Sequence, residues 1–331
     1  MTEPWESFGI GWDARDRARL HELWDEVLDS GRWSEGTMLQ RFEEAWAAWN
    51  RLPAVATSSW AGAALAALHW ADVRGETVLC PSNTFMATPL SILHAGGRPV
   101  FVDCNREDLC ASFDDFERKV LRHRPKAAWL VHIGGHLAFE VHRIAELCRA
   151  EGVVLLEDCA HAHGAEWNGR RPGSWGDAGV FSMYATKTIS SGEGGVLVSR
   201  HVDLLDFARA FRNYGKPGHD VAGLNFRMTE FTAALGLVGL ERLPQIVARK
   251  NVLAHRYLDP RYAAHLEIPP GMVSGRYKYV TFQPVERTTG RVYDEPCHRV
   301  MSTGDHLPNT DWVAEHHWCP PLYYRAEEPA A

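Results

Sequence analysis

The sequence predicts an α/β fold in which a mostly parallel, mixed sheet is covered by helices on both faces. Two observations support this prediction. Short apolar runs recur along the chain and end in polar or glycine residues, and stretches with helical spacing separate them. The runs are also continuously apolar rather than alternating, which is typical of strands buried on both faces. Strands of this kind belong to a sheet with crossover helices.

These patterns assign the elements in chain order. Strands are predicted at the apolar runs 77–80, 99–103, 127–133, 153–157, 180–183 and 196–198. A helix is predicted over 139–151, because Ile144, Leu147 and Cys148 recur there at helical spacing. Residues 226–250 are rich in alanine and leucine and predict a long helix or a helix pair, with Pro244 as the interruption. Beyond them, residues 277–282 alternate in polarity.

The length of the chain sets its domain organisation. The chain has 331 residues, of which 45% are hydrophobic. Single cores rarely grow beyond about 250–300 residues, so a large core with a smaller appended unit is expected. We predict a large domain over residues 1–248, which includes an N-terminal segment 1–30, and a shortened small domain over residues 249–331.

Composition argues against several classes of partner. The net charge is −7, and the basic residues are spread too thinly to form a stripe that neutralises nucleic-acid phosphates. The N-terminus lacks the pattern of a signal peptide, and no apolar run approaches the roughly 18 residues that cross a bilayer. The seven cysteines are scattered without CxxC spacing, unlike zinc sites or disulfide frameworks. We therefore expect a cytoplasmic protein with buried thiols that binds neither nucleic acid nor membrane.

Chemically active residues follow the ends of three predicted strands. Ligands of open α/β sheets bind at the carboxyl ends of the strands. Phe85 follows the first predicted strand, Asp158 follows a later one, and Lys187 comes 29 residues after Asp158. Pyridoxal phosphate (PLP) needs a lysine for its Schiff base and a carboxylate beside its pyridine nitrogen, and an aromatic side chain can stack on its ring. The pattern predicts a PLP site, with hydroxyls for the phosphate at Ser182, Thr186, Ser190 and Ser191.

A metal site is not predicted. His161 and His163 stand two residues apart, but no third ligand lies at a recognised spacing, and the segment lacks the HExxH pattern of helical zinc ligands.

Residues 155–199 read LLEDCAHAHGAEWNGRRPGSWGDAGVFSMYATKTISSGEGGVLVS. This segment resembles the signature of the DegT/DnrJ-type aminotransferases, the sugar and cyclitol aminotransferases of fold-type I. The similarity continues through residues 31–47, 81–104, 131–148 and 223–243, about two thirds of the chain in the family's order. It implies a fold-type I PLP-transferase with a seven-stranded sheet in the large domain and a reduced α+β small domain.

The resemblance implies roles for individual residues. Lys187 matches the lysine that forms the Schiff base with PLP and shuttles the proton, and Asp158 matches the carboxylate on the pyridine nitrogen. Phe85 matches the aromatic residue stacked on the ring, and His161 occupies the position beside the phenolic oxygen. Because dehydratase relatives carry histidine at the position of Lys187, the sequence is similar to the transaminating members.

Phosphate binding is implied for Ser182 and for Asn225, which matches an asparagine that reaches the phosphate of the neighbouring subunit and so implies a homodimer. The phosphate-binding run that opens the first large-domain helix aligns here with Ser59, Trp60 and Ala61. This register puts Ala61 at the family's threonine, so a side-chain hydroxyl is lost; backbone N–H groups there remain available, and Ser58 or Ser59 is the alternative source of a hydroxyl. The C-terminal region is also shorter than the family usually has.

The function implied is transfer of an amino group from glutamate or glutamine to a keto group of a nucleotide-linked keto-deoxysugar, in amino-sugar biosynthesis. A keto-cyclitol is the alternative acceptor. Two other readings stay open, a PLP-dependent lyase and a non-catalytic paralogue that pairs with an active relative.

Overall fold

The fold is built on short strands and longer helices, seen here in a computed structural model that describes residues 11–324. The strands in these residues are β1 (Ala54–Thr57), β2 (Thr77–Pro81), β3 (Arg98–Val102), β4 (Ala127–Val131), β5 (Val154–Asp158), β6 (Glu166–Trp167), β7 (Ala178–Ser182), β8 (Gly195–Ser199) and β9 (Met272–Val273). The helices are α1 (Ala14–Ser30), α2 (Thr37–Asn50), α3 (Trp60–Trp70), α4 (Ala87–His94), α5 (Phe113–His123), α6 (Val141–Glu151), α7 (Val202–Phe211), α8 (Glu230–Leu253), α9 (Cys297–Val300) and α10 (Pro308–His316).

Seven of the strands form one mixed sheet in the order β1-β8-β7-β5-β4-β2-β3. The pairs from β7 to β3 are parallel, whereas β8 runs antiparallel to both β7 and β1. The predicted α/β class and its mostly parallel seven-stranded sheet are confirmed. The apolar runs gave six of these strands, and β1 is the strand they missed.

Helices cover both faces of the sheet. Buried side chains of α3, α4 and α7 form one core with the strands, and those of α1, α2, α5, α6 and α8 form the other. The parallel strands are buried on both faces, which explains their continuous apolar sequence. This arrangement leaves the carboxyl ends of β5 and β7 as neighbouring positions at one edge of the sheet.

Helix α8 is one continuous helix, although the sequence left a helix pair open. Pro244 lies inside it, and a π-helical turn over Ala254–Leu258 follows directly. Residues Glu230–Leu258 have the length and composition that a membrane-spanning helix needs, but 61% of their most apolar window is buried in the fold. The helix packs against α1 and α2, as expected of a core helix.

The chain after the π-helical turn, over residues 259–324, holds little regular structure. The alternating stretch 277–282 forms no strand and makes only isolated bridges at Thr281. Strand β9 pairs with β6, and several C-terminal side chains join the core on the α8 face. The predicted division at residue 248 falls inside α8, and the two predicted domains begin and end in residues 1–10 and 325–331, which lie outside the described residues.

All seven cysteines are buried free thiols in the described part of the chain, as the scattered spacing predicted.

Candidate active site

The candidate site lies at the carboxyl ends of the neighbouring parallel strands β5 and β7. Asp158 is the last residue of β5, and Ser182 is the last residue of β7. The chain then runs through a loop that carries Lys187 before it enters β8. The fold brings together the two side chains that the sequence singled out. They lie close enough for the charge of Lys187 and the charge of Asp158 to shift each other's pKa.

Asp158 is a buried carboxylate held by three donors of its own chain. Its Oδ1 accepts hydrogen bonds from the indole Nε1 of Trp60 and the backbone N–H of Ala160, each at 3.1 Å. Its Oδ2 accepts one from the hydroxyl of Thr88 at 3.1 Å. Burial raises the pKa of Asp158, while these hydrogen bonds and the charge of Lys187 partly offset the rise. The carboxylate is therefore fixed in place before any ligand arrives.

Lys187 carries an amine that loses its proton unusually easily. Burial lowers its pKa to about 8; the nearby Asp158 opposes the shift and the charge of Lys278 adds to it. The Nζ atom lies 4.8 Å from the ring centroid of Tyr277, and the hydroxyl of Tyr277 is 3.1 Å from that of Thr186. A desolvated lysine with a lowered pKa is the form that acts as a nucleophile.

His161 is buried among aromatic rings. Its ring stacks on Tyr277 at 4.1 Å and on Tyr293 at 5.5 Å, and its Nδ1 lies 3.5 Å from the Tyr293 hydroxyl. Burial, assisted by the charge of Lys187, lowers the pKa of His161 well below its usual range. The imidazole is therefore neutral at pH 7.

The candidate phosphate position is the N-terminus of α3. Ser59 is the N-cap, and its hydroxyl accepts a hydrogen bond from the N–H of Gly62 at 3.3 Å. Trp60 is buried and points to Asp158, and Ala61 is exposed. Only glycine fits at position 195, where an added Cβ would lie 2.4 Å from the carbonyl oxygen of Ser59. This close approach places the first turn of α3 beside the start of β8.

Two predicted site residues lie on the surface. Phe85 is 67% exposed. Asn225 is also exposed, and its side-chain oxygen accepts a hydrogen bond from the backbone N–H of Arg227 at 3.2 Å. Stacking by Phe85 and a reach into a neighbouring subunit by Asn225 stay predictions.

The two histidines considered for metal binding face different surroundings. His163 packs against Trp46 and Phe181, and burial lowers its pKa to about 3. Another group, His132, Glu157 and Cys159, gathers its ligand atoms within 4.8 Å. The Glu157 carboxylate already accepts hydrogen bonds from His132 and from the backbone N–H groups of Gly173, Trp175 and Gly176. That group is held by protein donors.

Sequence reasoning missed several side chains of the site. Tyr277 and Lys278 belong to the alternating stretch 277–282, whose pattern indicated no role in a site. Thr88 lies three residues after Phe85, within the segment 81–104 that resembles the family. No sequence pattern pointed to Tyr293, because it lies in an irregular segment far from His161 in the chain.

Comparison with known proteins identifies the family. The profile of the DegT/DnrJ/EryC1/StrS aminotransferase family matches residues 15–267.

The chain belongs to this family.

Its relatives in the DegT/DnrJ/EryC1/StrS family include sugar and cyclitol enzymes. The chain is 35% identical over 245 residues to GDP-perosamine synthase of Escherichia coli O157:H7, which covers 71% of this chain and 66% of that protein. It is 30% identical over 268 residues to a Micromonospora echinospora protein named for an L-glutamine:3-amino-2,3-dideoxy-scyllo-inosose aminotransferase activity, covering 76% of this chain and 62% of that protein. The aligned regions thus span slightly less than two thirds of the length of these relatives.

A solved structure of the family shows the same architecture. The crystal structure of Streptomyces venezuelae DesV in complex with a ketimine intermediate superimposes with a TM-score of 0.88 at 27% identity, over 95% of this chain and 92% of that one.

Aminotransferases of this family use PLP, and the residues of this chain fit that cofactor. A carboxylate offers about four acceptor positions, and protein donors use two on Oδ1 and one on Oδ2 of Asp158. One position on Oδ2 is left for a pyridine N–H. Among residues 11–324, the Lys187 amine is in no ion pair. The first turn of α3 offers the backbone N–H groups that bind phosphates at helix N-termini.

Proposed function

We propose that the protein is a PLP-dependent aminotransferase that moves an amino group from glutamate or glutamine to a keto group of a nucleotide-linked keto-deoxysugar. One observation carries this proposal. The Lys187 amine, with a pKa of about 8, and the Asp158 carboxylate, with one acceptor position left, meet at the ends of adjacent strands. The name of GDP-perosamine synthase supports a nucleotide-linked sugar as acceptor.

Lys187, Asp158, Ser182 and the first turn of α3 would hold the cofactor. When bound, PLP supplies an electron sink for the negative charge that develops on the α-carbon of the amino donor. Lys187 would take the proton from that carbon and return it, because an amine with a pKa of about 8 is partly unprotonated near neutral pH. Proton transfer by such a positioned group contributes about 10²- to 10⁴-fold in rate.

Asp158 and His161 would set the electrostatics around that proton transfer. The ionised Asp158 would hold a protonated ring nitrogen, and its three hydrogen bonds keep the carboxylate oriented. His161 stays neutral and adds no charge beside the Lys187 amine. Its contact with the two tyrosine rings fixes the orientation of the imidazole.

We further propose a cytoplasmic homodimer in which Asn225 reaches the neighbouring site. Large apolar side chains are exposed on the same part of the chain as Asn225, notably Tyr214 at 46% and Leu224 at 60%. Free thiols throughout the described residues suit a reducing compartment.

A keto-cyclitol is the second candidate acceptor, favoured by the similarity to the Micromonospora protein. Both acceptors share the first half of the reaction with the amino donor. An experiment distinguishes the two acceptors. The amino form of the loaded protein is mixed with a keto sugar nucleotide or with a keto-cyclitol, and the return of the yellow form shows which one reacts.

The test of the function is a visible absorption spectrum. Purified protein supplied with PLP should become yellow, and glutamate or glutamine should bleach that colour. Lys187→Ala should take up no yellow colour, whereas Lys126→Ala, which changes an exposed lysine, should behave like the unmodified protein. A protein that stays colourless with PLP would contradict the proposal and favour a non-catalytic paralogue.

A further inference from the structure

A small cavity lies beside Lys187. It has a volume of about 140 Å³ and is enclosed by the loop after β7, the end of α8, residues 277–279 and residues 320–324. Three lysines line it, namely Lys187, Lys250 and Lys278. The three come from separate segments of the chain, so their convergence is a property of the fold.

The two lysines other than Lys187 are held by neutral acceptors. Lys250 Nζ donates to the carbonyl oxygen of Arg276 at 3.1 Å. Lys278 Nζ donates to the carbonyl oxygen and the hydroxyl of Thr289, each at 3.0 Å. In the part of the chain that the structure describes, no ion pair joins any of the three lysines to a carboxylate. An ammonium has three donors, so Lys250 keeps two and Lys278 keeps one for a ligand.

Two carboxylates influence these lysines through their charge, without forming an ion pair with them. Asp158 acts on Lys187, and Asp294 acts on Lys278. Burial lowers the pKa of Lys250 to about 8, with a further contribution from the charge of Lys278. Burial likewise lowers the pKa of Lys278. Positive charge is therefore concentrated in the cavity without a matching negative group.

One residue of the same cavity carries a buried hydroxyl without a partner. Thr188 lines it, and the Oγ1 atom of Thr188 is buried with no hydrogen-bond partner among residues 11–324. Buried hydroxyls are normally hydrogen-bonded, and leaving one unsatisfied costs about 1–3 kcal/mol. This observation is independent of the lysines, and it also indicates a polar ligand.

The size of the cavity decides which anion fits. Pockets for whole small molecules measure roughly 300–1,000 Å³, so a cavity of about 140 Å³ holds one end of a molecule. A carboxylate on a short chain fits that space, whereas a nucleoside diphosphate does not. Because Lys187 forms one wall, the occupant must also lie within reach of the amine that acts on the amino donor.

We propose that this cavity binds the side-chain carboxylate of the amino donor through Lys250, Lys278 and Thr188. The inference rests on the proposed aminotransferase function and commits to a donor with two acidic ends. Lys250 and Lys278 would then be the residues that select the amino donor.

Calorimetric titration of the PLP-supplied protein with glutarate tests the proposal, since glutarate carries two carboxylates and no amino group. We expect glutarate to bind the unmodified protein and Lys126→Met equally, and to bind Lys250→Met at least about tenfold more weakly, which corresponds to about 1.4 kcal/mol. Thr188→Val keeps the shape of the side chain and removes only the hydroxyl, so it should fold normally and bind at least about threefold more weakly. Equal affinity in the variants, or no binding to the unmodified protein, would overturn the proposal.

Parallel titrations with inorganic phosphate and with a nucleoside diphosphate identify the source of the anion. Binding of either that depends on Lys250, without binding of glutarate, would also overturn the donor assignment. Uptake of PLP is measured in a separate experiment, from the colour of the protein. A coloured protein that does not bind glutarate contradicts only this inference. A colourless protein contradicts the proposed function, and its affinity for glutarate still tests the cavity.

Discussion

Trp60 belongs both to the core and to the candidate site. Its ring packs in the core beside Trp129, while its indole N–H donates to the buried carboxylate of Asp158 at 3.1 Å. The sequence marked Trp60 as a member of the phosphate run, but the structure directs its side chain to the carboxylate that would hold the ring nitrogen. A residue at a helix N-terminus thus supports the opposite end of the cofactor position.

Trp60→Phe should remove this donor together with part of the ring that packs beside Trp129. Hydrogen bonds to charged groups contribute about 1.5–3 kcal/mol, and the lost ring volume adds to the cost, so we expect the free energy of unfolding to fall by at least about that amount at neutral pH. The loss should shrink as the pH falls through the raised pKa of Asp158, because the protonated carboxyl needs the donor less. Urea unfolding at several pH values measures both effects.

Trp70→Phe, at the other end of α3, is the matched control. The indole of Trp70 donates to Asp203 at 2.8 Å in an exposed contact. Its removal should change stability little, and an equal loss in both variants would contradict the special role of Trp60.

The pKa of Lys187 makes uptake of PLP dependent on pH. Only the unprotonated amine attacks an aldehyde, so the rate of colour development should rise with pH and level off above about pH 8. A lysine with an ordinary pKa would keep accelerating to higher pH. Stopped-flow absorbance across pH 6–10 checks the midpoint, a range of about four units around the stated pKa.

Lys278→Met should move this midpoint to higher pH. The positive charge of Lys278 lowers the pKa of Lys187, so removing it relieves the repulsion. Lys126→Met should leave the midpoint unchanged, and an unmoved midpoint in Lys278→Met would show that the two charges do not interact.

The sequence located Asp158 and Lys187 because strand ends can be found from apolar runs, and the structure brings the two together. It could not reveal that Tyr277 and Lys250 line a cavity with Lys187, or that Tyr293 stacks on His161. These residues come from irregular segments or from the far end of α8, and their positions depend on tertiary packing. The chemical roles assigned to the site residues stay predictions.

At the scale of elements, one acidic side chain of α8 joins two helices. Glu230 is 1% exposed at the start of α8, and its carboxylate accepts hydrogen bonds from the N–H groups of Gly36, Met38 and Leu39 at 2.9, 2.7 and 3.3 Å. The N-cap of α2 is Gly36, which has no side chain to do this. Glu230 thus caps α2 from a position 194 residues away.

Glu230→Gln should destabilise the protein. An amide places two donors where three backbone donors need acceptors, and the favourable charge at the helix N-terminus is lost. We expect the free energy of unfolding to fall by about 1.5–3 kcal/mol or more in urea unfolding. Glu241→Gln changes an exposed residue of the same helix and should stay within about 0.5 kcal/mol. Similar values for both variants would refute the capping role.

The elements most easily predicted were those with long patterns. Helix α8 was found because its pattern covers 24 residues, and Pro244 is tolerated on an exposed turn. Strand β1 has only four residues and follows Pro53, so no pattern stood out. The alternating stretch 277–282 was packed into the core without a neighbouring strand, which no local pattern reveals.

At the scale of the whole molecule, the proposed dimer makes a direct prediction. Sedimentation equilibrium should give twice the chain mass of 37.2 kDa. Leu224→Asp places a charge on a side chain that is 60% exposed near Asn225 and should shift the protein toward monomers. Leu121→Asp changes a side chain that is 57% exposed on α5 and should remain dimeric. Monomers of the unmodified protein at micromolar concentration would contradict the dimer.

The molecule is tied together by contacts between its beginning and its later part. Within residues 11–324, β1 pairs only with β8, and Glu230 caps α2. A ribosome makes residues 37–57 long before residues 195–230, so α2 and β1 emerge without the groups that complete them. We expect a nascent chain arrested before Glu230 has left the exit tunnel to remain sensitive to protease throughout its N-terminal part. Protection there should arrive in one step once α8 is exposed, so synthesis of the final third decides when the first third becomes native.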